Sequence, residues 1–286
     1  MKFALMFANT GPFAGARGAR ALGPAAEAAG FESVWTVEHV LYPEGYTSTY
    51  PYSPSGRMPG TADSPIPDPL IWLSFIAATT STLKLGTGIL ILPQRQPAIT
   101  AKACATLDQL SEGRHILGIG SGWLEEEFDA LGVPFARRGQ RTDEYIDVMR
   151  NLWTEELASH SGEFVNYDQV ASNPKPFNGT VPIHVGGHSK RAARRAGQKG
   201  DGFFPGEGNI PELVDMARQF AADAGRDPEA IEMTASHPGL FGDDPHAAVE
   251  ELESWGVQRT PVPAFLFQRA DDLTEAMTAF MNKVRG

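Results

Sequence analysis

The sequence predicts an α/β protein built as a (β/α)₈ TIM-like barrel, with insertions after the second strand and before the fifth. Eight short runs rich in β-branched and aromatic residues recur along the chain, and each is followed by apolar residues at helical spacing. Glycines stand where helices must end, one to three residues before the next strand. The 286 residues also suit eight such units, since a closed barrel takes roughly 250. An open doubly wound sheet is the alternative.

In order, the strands are expected at Lys2 to Asn9, Ser33 to His39, Leu83 to Leu92, His115 to Gly120, Pro182 to Gly186, Gly202 to Pro205, Ile231 to Ser236 and Pro263 to Phe267. Between them, Leu22, Ala25, Ala26 and Ala29 share one helix face, as do Ile99, Ala103, Leu107 and Leu110. Later faces are Tyr145, Val148, Met149, Leu152; Leu213, Ala217, Phe220, Ala224; and Leu273, Ala276, Met277, Phe280. Gly30, Gly113, Gly200 and Gly256 are the stop signals, while Asp68-Pro69 and Asp244-Pro245 combine a capping oxygen with a ring that presets helical φ. Strands alternating with helices imply a parallel sheet. Two excursions break the rhythm: Val40 to Pro67, and Leu157 to Val181, where Glu163 to Asp168 is expected as a small extra strand. The whole of 1–286 is read as one domain.

A formal charge of −11 argues against nucleic acid or an anionic membrane surface as partner, because either polyanion is repelled. The lone Cys104 excludes an intramolecular disulfide, a multi-cysteine zinc site and a three-cysteine cluster, and is read as a small core residue. The apolar run Phe3 to Ala8 is too short for a secretory core, and no other run approaches a membrane span. A soluble cytoplasmic protein is expected.

In a barrel, chemistry gathers where strands end and helices begin. Those positions carry no lysine for a Schiff base, no recognisable metal set among His39, His184 and His237, and no pair of carboxylates placed as in a glycosidase. Gly118, Gly120 and Gly122 leave one face of a strand end without side chains, which suits either a flat ring or close packing; the run fails the dinucleotide pattern at Trp123. Gly186, Gly187, His188 and Ser189 open a helix beside Lys190, Arg191, Arg194 and Arg195, a phosphate-binding arrangement in which some of the cations form a solvated outer face. Glu38 and His39 end the second strand, where a histidine can exchange a proton. Asp108 is read as either a buried acid behind the site or a surface charge. Val40 to Pro67, with Tyr42, Tyr46, Tyr50 and Tyr52, is read as a substrate-selecting lid, a dimer-contact arm being the competing assignment.

The stretch Leu85-Gly-Thr-Gly-Ile-Leu-Ile-Leu-Pro93, the run from Gln96 to Arg114, and Leu117-Gly-Ile-Gly-Ser-Gly-Trp-Leu-Glu-Glu-Glu-Phe128 onward to Pro134-Phe135 resemble the bacterial luciferase-like flavin-dependent oxidoreductase superfamily. Asn173-Pro-Lys-Pro176 and Pro182-Ile-His-Val-Gly-Gly-His-Ser189 continue the resemblance, which fades after Pro205 and is closest to the coenzyme F-420-dependent branch. It implies reduced FMN or the deazaflavin F-420 at the C-terminal mouth. It also implies a bulge, often with a non-prolyl cis peptide, near Thr87, Gly88 and Ile89 behind the ring. Gly120, Ser121 and Gly122, with Gly186 to Ser189, would flank the tail and phosphate, and Glu38 and His39 match the catalytic pair. Trp123 stands where some deazaflavin dehydrogenases carry a glutamate acid. The expected activity is hydride transfer between F-420 and a small organic substrate in a homodimer, dimerising through helices around Arg137 to Trp153. The alternatives are an FMNH₂-dependent monooxygenase and a catalytically silent flavin-binding barrel.

Overall fold

A computed structural model describes residues 1–286. The barrel strands are β1 (Lys2–Met6), β2 (Ser33–Thr36), β3 (Lys84–Thr87) continued by β4 (Leu90–Ile91), β5 (His115–Gly120), β8 (Ile183–Gly186), β9 (Gly202–Phe204), β10 (Glu232–Met233) and β11 (Arg259–Pro263). All pair in parallel in the order β10-β9-β8-β5-β3-β2-β1-β11, and a bridge between Thr234 and Arg259 joins the two ends. The helices are α1 (Ala16–Ala28), α2 (Pro69–Ala77), α3 (Pro97–Leu110), α4 (Glu125–Ala130), α5 (Arg138–Thr154), α6 (Lys190–Lys199), α7 (Ile210–Asp223), α8 (Pro245–Ser254) and α9 (Leu273–Arg285). The (β/α)₈ expectation holds, and no helix is long and apolar enough to cross a membrane.

Two expected elements are corrected. The eighth strand lies at Arg259–Pro263, and the apolar run Ala264–Phe267 that suggested it is a 3₁₀ turn. Prolines are tolerated in β11 because it pairs along its length only with β1. Arg259 turns its carbonyl to Ala235 N at 3.0 Å, so Pro261 and Pro263, two and four residues on, point their missing N–H groups to the same sparsely paired side. The third strand carries the bulge that the resemblance implies, a cis Gly88-Ile89 peptide between β3 and β4. The second excursion holds an antiparallel hairpin, β6 (Ala158–Ser161) and β7 (Asn166–Val170), rather than one strand over Glu163 to Asp168. Glu144 accepts hydrogen bonds from Glu163, Phe164 and Val165 N, which makes that part of the run a turn.

The glycines of the central strands are explained by the barrel interior. A Cβ at Gly86 would meet the Trp35 ring at 2.5 Å, and one at Gly118 would collide with the Thr87 carbonyl and approach the same ring. Trp35, almost fully buried, therefore occupies space that β3 and β5 vacate, with Met6, Ala4 and Ile116 around it. Below Trp35, fully buried Arg259 bonds Glu32 and Glu232.

Asp108 is neither a surface charge nor near the mouth. Buried, it accepts from Phe177 N at 2.8 Å and His115 N at 3.4 Å, tying the loop before β8 to the start of β5. Cys104 is fully buried and its thiol is pushed up to about 12 by burial, which suits an inert core residue.

Two buried histidines make a pH prediction. Burial holds His115 and His184 neutral, each with its pKa lowered to about 4. As pH falls below 6.5 the unfolded chain takes up these protons and the folded chain does not, so stability is lost between pH 6.5 and 4. At 1.36 kcal/mol per unit the two together remove about 3–4 kcal/mol between pH 7 and pH 5. Urea unfolding at the two pH values measures this, and equal stabilities would contradict it.

Candidate functional site

The ends of β1, β2, β4, β5, β8 and β9 converge at the C-terminal mouth, as the parallel order requires. His39 follows β2, and its Nδ1 lies 2.9 Å from Oε2 of Glu127, whose side chain is completely buried. The other Glu127 oxygen accepts from Val40 N at 2.6 Å and Leu41 N at 3.1 Å. Burial pushes the Glu127 carboxyl up, but His39 and Leu41 N–H outweigh it and its pKa is lowered. Glu127 is thus a carboxylate, and the Nδ1 facing it carries the proton. His39 Nε2 makes no hydrogen bond within the chain.

Sequence reasoning paired His39 with Glu38; the structure does not. Glu38 is almost wholly buried and turns to the bulge, where it accepts from Ile91 N at 2.5 Å and from Arg95 Nε at 2.8 Å. Arg95 also donates to Asp68, the N-cap of α2, at 2.7 Å. Burial raises the Glu38 pKa, with Arg95 drawing it down. Its geometry is that of a bracket holding β4 against β2. Glu127 was missed because it is one of three adjacent glutamates, which a helix N-terminus attracts for its dipole alone.

The α4 turn separates those three residues by about 100° each. Glu127 points inward to His39. Glu126 accepts from Thr47 N at 2.6 Å and Ser48 N at 3.1 Å, and the Ser48 side chain together with these N–H groups holds its pKa down to about 2 against burial. Exposed Glu125 donates its backbone N–H to the Ser48 hydroxyl. One helical turn therefore fixes both the histidine and the insertion.

The insertion, Val40 to Pro67, contains no helix or strand and lies against the site. Trp123 meets His39, Tyr46 and Tyr50 edge to face at ring distances of 5.9, 5.5 and 5.2 Å. Tyr42 meets Tyr46 edge to face, as Tyr50 does Tyr52, whose ring reaches His188 at 5.3 Å. An aromatic path thus runs from His39 across Trp123 to the start of α6. Tyr46 is buried with Met58 and Leu124, and its hydroxyl accepts from Met58 N at 2.8 Å. Asn9 clamps the base of the insertion through Val37 and the Pro67 carbonyl.

At the bulge, Thr87 Oγ1 donates to Gly118 O at 2.6 Å. Ile89 projects between two glycines, since a Cβ at Gly120 would meet its Cδ1 at 2.6 Å and one at Gly186 its Cγ2 at 2.5 Å. The bare face expected along Gly118 and Gly120 is therefore filled from within, by Thr87, Trp35 and Ile89. Gly122 has φ of +78° and its Cβ would strike Phe128 and Ile91, so it too is required by packing. Ser121 sits between them, half-buried.

The turn into α6 is partly committed as well. Gly187 has φ of +119° and its N–H donates to Phe204 O at 3.1 Å, so it supplies conformation rather than a free donor. Ser189 caps α6 by accepting from Ala192 N at 3.2 Å, which leaves its hydroxyl proton and the N–H groups of Lys190 and Arg191 available. His188 Nδ1 is buried without a partner. Lys190, Arg191 and Arg194 are exposed, whereas Arg195 is paired with Asp143 at 2.5 Å. This arrangement fits an anion: cations in a first turn oppose the helix dipole, and a bound phosphate offsets both.

The profile of the luciferase-like monooxygenase family matches residues 1–282. The uncharacterized protein Rv0940c of Mycobacterium tuberculosis (strain ATCC 25618 / H37Rv) is 35% identical over 208 residues, 72% of each chain. An F420-dependent glucose-6-phosphate dehydrogenase of Kineococcus radiotolerans is 32% identical over 239 residues, covering 80% of this chain and 66% of that one. Among solved structures, the monooxygenase RslO1 from Streptomyces bottropensis superposes with TM-score 0.76 at 23% identity, covering 100% and 99% of the two chains. The coenzyme F420 dependent tetrahydromethanopterin reductase from Methanopyrus kandleri does so with TM-score 0.76 at 19% identity, covering 99% and 98%. With the barrel, the interrupted third strand and the profile match over nearly its whole length in agreement, this chain belongs to the luciferase-like monooxygenase family of oxidoreductase enzymes.

Proposed function

We propose that this protein is an F-420-dependent oxidoreductase that transfers a hydride between the deazaflavin and a small organic substrate. The observation that carries the reading is His39 at the mouth, held by the buried Glu127 carboxylate with Nε2 unbonded. That is a proton-exchange group without a metal set or a covalent nucleophile beside it. The identity to F420-dependent glucose-6-phosphate dehydrogenases supports the deazaflavin over FMN.

When bound, the deazaflavin supplies or accepts the hydride. The chain supplies the rest. Thr87, Gly88 and Ile89 back the ring, and the α6 N-terminus at Gly186 to Ser189, with Lys190 and Arg191 beside it, holds a phosphate. His39 Nε2 takes the substrate hydroxyl proton in oxidation and returns it in reduction. Trp123 and the tyrosines of the insertion cover the site and keep water out.

Anaerobic titration with F-420 and with FMN separately tests the assignment. Tight binding of F-420 coupled to hydride transfer supports it; oxygen-dependent turnover with FMNH₂ replaces it by a monooxygenase, and binding without turnover by a silent barrel. The phosphate site has its own test. Gly187→Val is expected to weaken cofactor binding strongly, because it strains a φ of +119° and brings a side chain against Ala192. Ser189→Ala loses one hydrogen bond to a charged group, about 1.5–3 kcal/mol, and so about tenfold or more in affinity. Unchanged affinity in both folded variants rules the phosphate site out.

A further inference from the structure

The geometry assigns to Glu127 the role of positioning residue for His39: it fixes the Nδ1–H tautomer and so leaves the Nε2 lone pair as the proton acceptor of the site. This rests on the reading that His39 is the proton partner. Three contacts and burial set the arrangement. Oε2 faces His39 Nδ1 at 2.9 Å, while Oε1 is occupied by Val40 N at 2.6 Å and Leu41 N at 3.1 Å, and the carboxylate itself is fully buried. The Gln94 carboxamide lies against Glu127 in the same buried pocket, outside good hydrogen-bond geometry. Since Val40 and Leu41 are the first residues of the insertion, one carboxylate sets both the direction in which the chain leaves β2 and the state of the imidazole. Trp123, edge to face with His39 at 5.9 Å, limits rotation of the ring.

Glu127→Gln separates this role from bulk. The backbone N–H groups of Val40 and Leu41 hold the amide oxygen, so the amide NH₂ faces His39 Nδ1 and forces the proton onto Nε2. In oxidation of an alcohol the substrate O–H bond breaks and its proton passes to Nε2, while the hydride leaves carbon for the oxidised deazaflavin. With Nε2 already protonated that step has no acceptor.

Nitrogen-15 NMR of histidine-labelled protein without cofactor, with His39 assigned by its loss in His39→Asn, reads the tautomer at a pH where the ring is neutral. The wild type is expected as Nδ1–H and Glu127→Gln as Nε2–H. With F-420 and substrate, the variant is expected to lose about 10²- to 10⁴-fold in kcat for oxidation, with cofactor affinity and KM within about threefold. An Nε2–H wild type overturns the inference whether or not the variant folds, and so does a folded variant that keeps Nδ1–H. If His39→Asn is inactive while Glu127→Gln remains fully active, the positioning role alone falls. If both keep full turnover, the reading of His39 as proton partner falls with it.

Discussion

Arg259→Met is expected to destabilise the barrel by about 3–5 kcal/mol, as removal of one partner from a buried ion pair does. Arg259 is fully buried at the closure of the barrel. Its guanidinium makes a bidentate pair with Glu32 at 2.9 and 3.0 Å, bonds Glu232 at 2.5 Å and lies 5.4 Å from the centre of the Trp35 ring. Burial raises Glu232, yet Arg259 and Lys2 outweigh it and hold the carboxyl at about 2. Without the arginine, two partly buried carboxylates face each other beneath Trp35, with Lys2, Lys84 and the neutral His184 as their remaining neighbours. Methionine keeps the apolar stem but removes the charge. Neutralising all three positions in Arg259→Met, Glu32→Gln, Glu232→Gln should recover most of the loss, because the cost lies in the unpaired charges. Urea unfolding at pH 7 measures both variants; a single-variant loss below about 1 kcal/mol would show that water compensates the two glutamates.

Replacing Tyr46 to Pro65 with a short Gly/Ser linker is expected to leave the barrel folded and cofactor binding within several-fold, yet abolish or redirect turnover. The strands and Arg259 do not depend on the segment, whereas the site does. Deletion removes Tyr46, Tyr50 and Tyr52 from Trp123 and His188, and takes from Glu126 the Thr47 and Ser48 donors that it holds. Trp123 then faces water, and the imidazole of His39 loses its enclosed surroundings. Circular dichroism, F-420 titration and steady-state turnover on the same preparation check the three parts. A shortened protein that keeps full activity and changes only from dimer to monomer identifies the insertion as an association arm. The edge-to-face chain from His39 to His188 favours the lid, since it packs the tyrosines of the insertion directly on Trp123 and His188 at the mouth.

Periodicity made seven of the eight strands and most helices legible, because alternation and the 3.6-residue repeat are local consequences of which face meets the core. The misplaced eighth strand shows where that reasoning ends. Phe265-Leu-Phe267 looks more strand-like than Arg-Thr-Pro-Val-Pro263, and only the neighbours of β11 decide that a buried arginine and two prolines belong in it. The mouth histidine and the α6 turn were likewise visible as residues at strand ends.

The amino-acid order determined the barrel, His39 at the end of β2 and an insertion of 28 residues beside it, and its resemblance to a known family placed the bulge at Thr87 to Ile89. Tertiary structure decided which glutamate His39 meets. Glu38 is adjacent in sequence but turns to Arg95, whereas Glu127 lies 88 residues away and is carried inward by α4. It also decided what the strand glycines do, since their absent side chains make room for Trp35 and Ile89 rather than lying bare. The physical reason is the same in each case. Local pattern sets which face a residue points to, while the partner on that face comes from a distant part of the chain, and burial leaves room for only one.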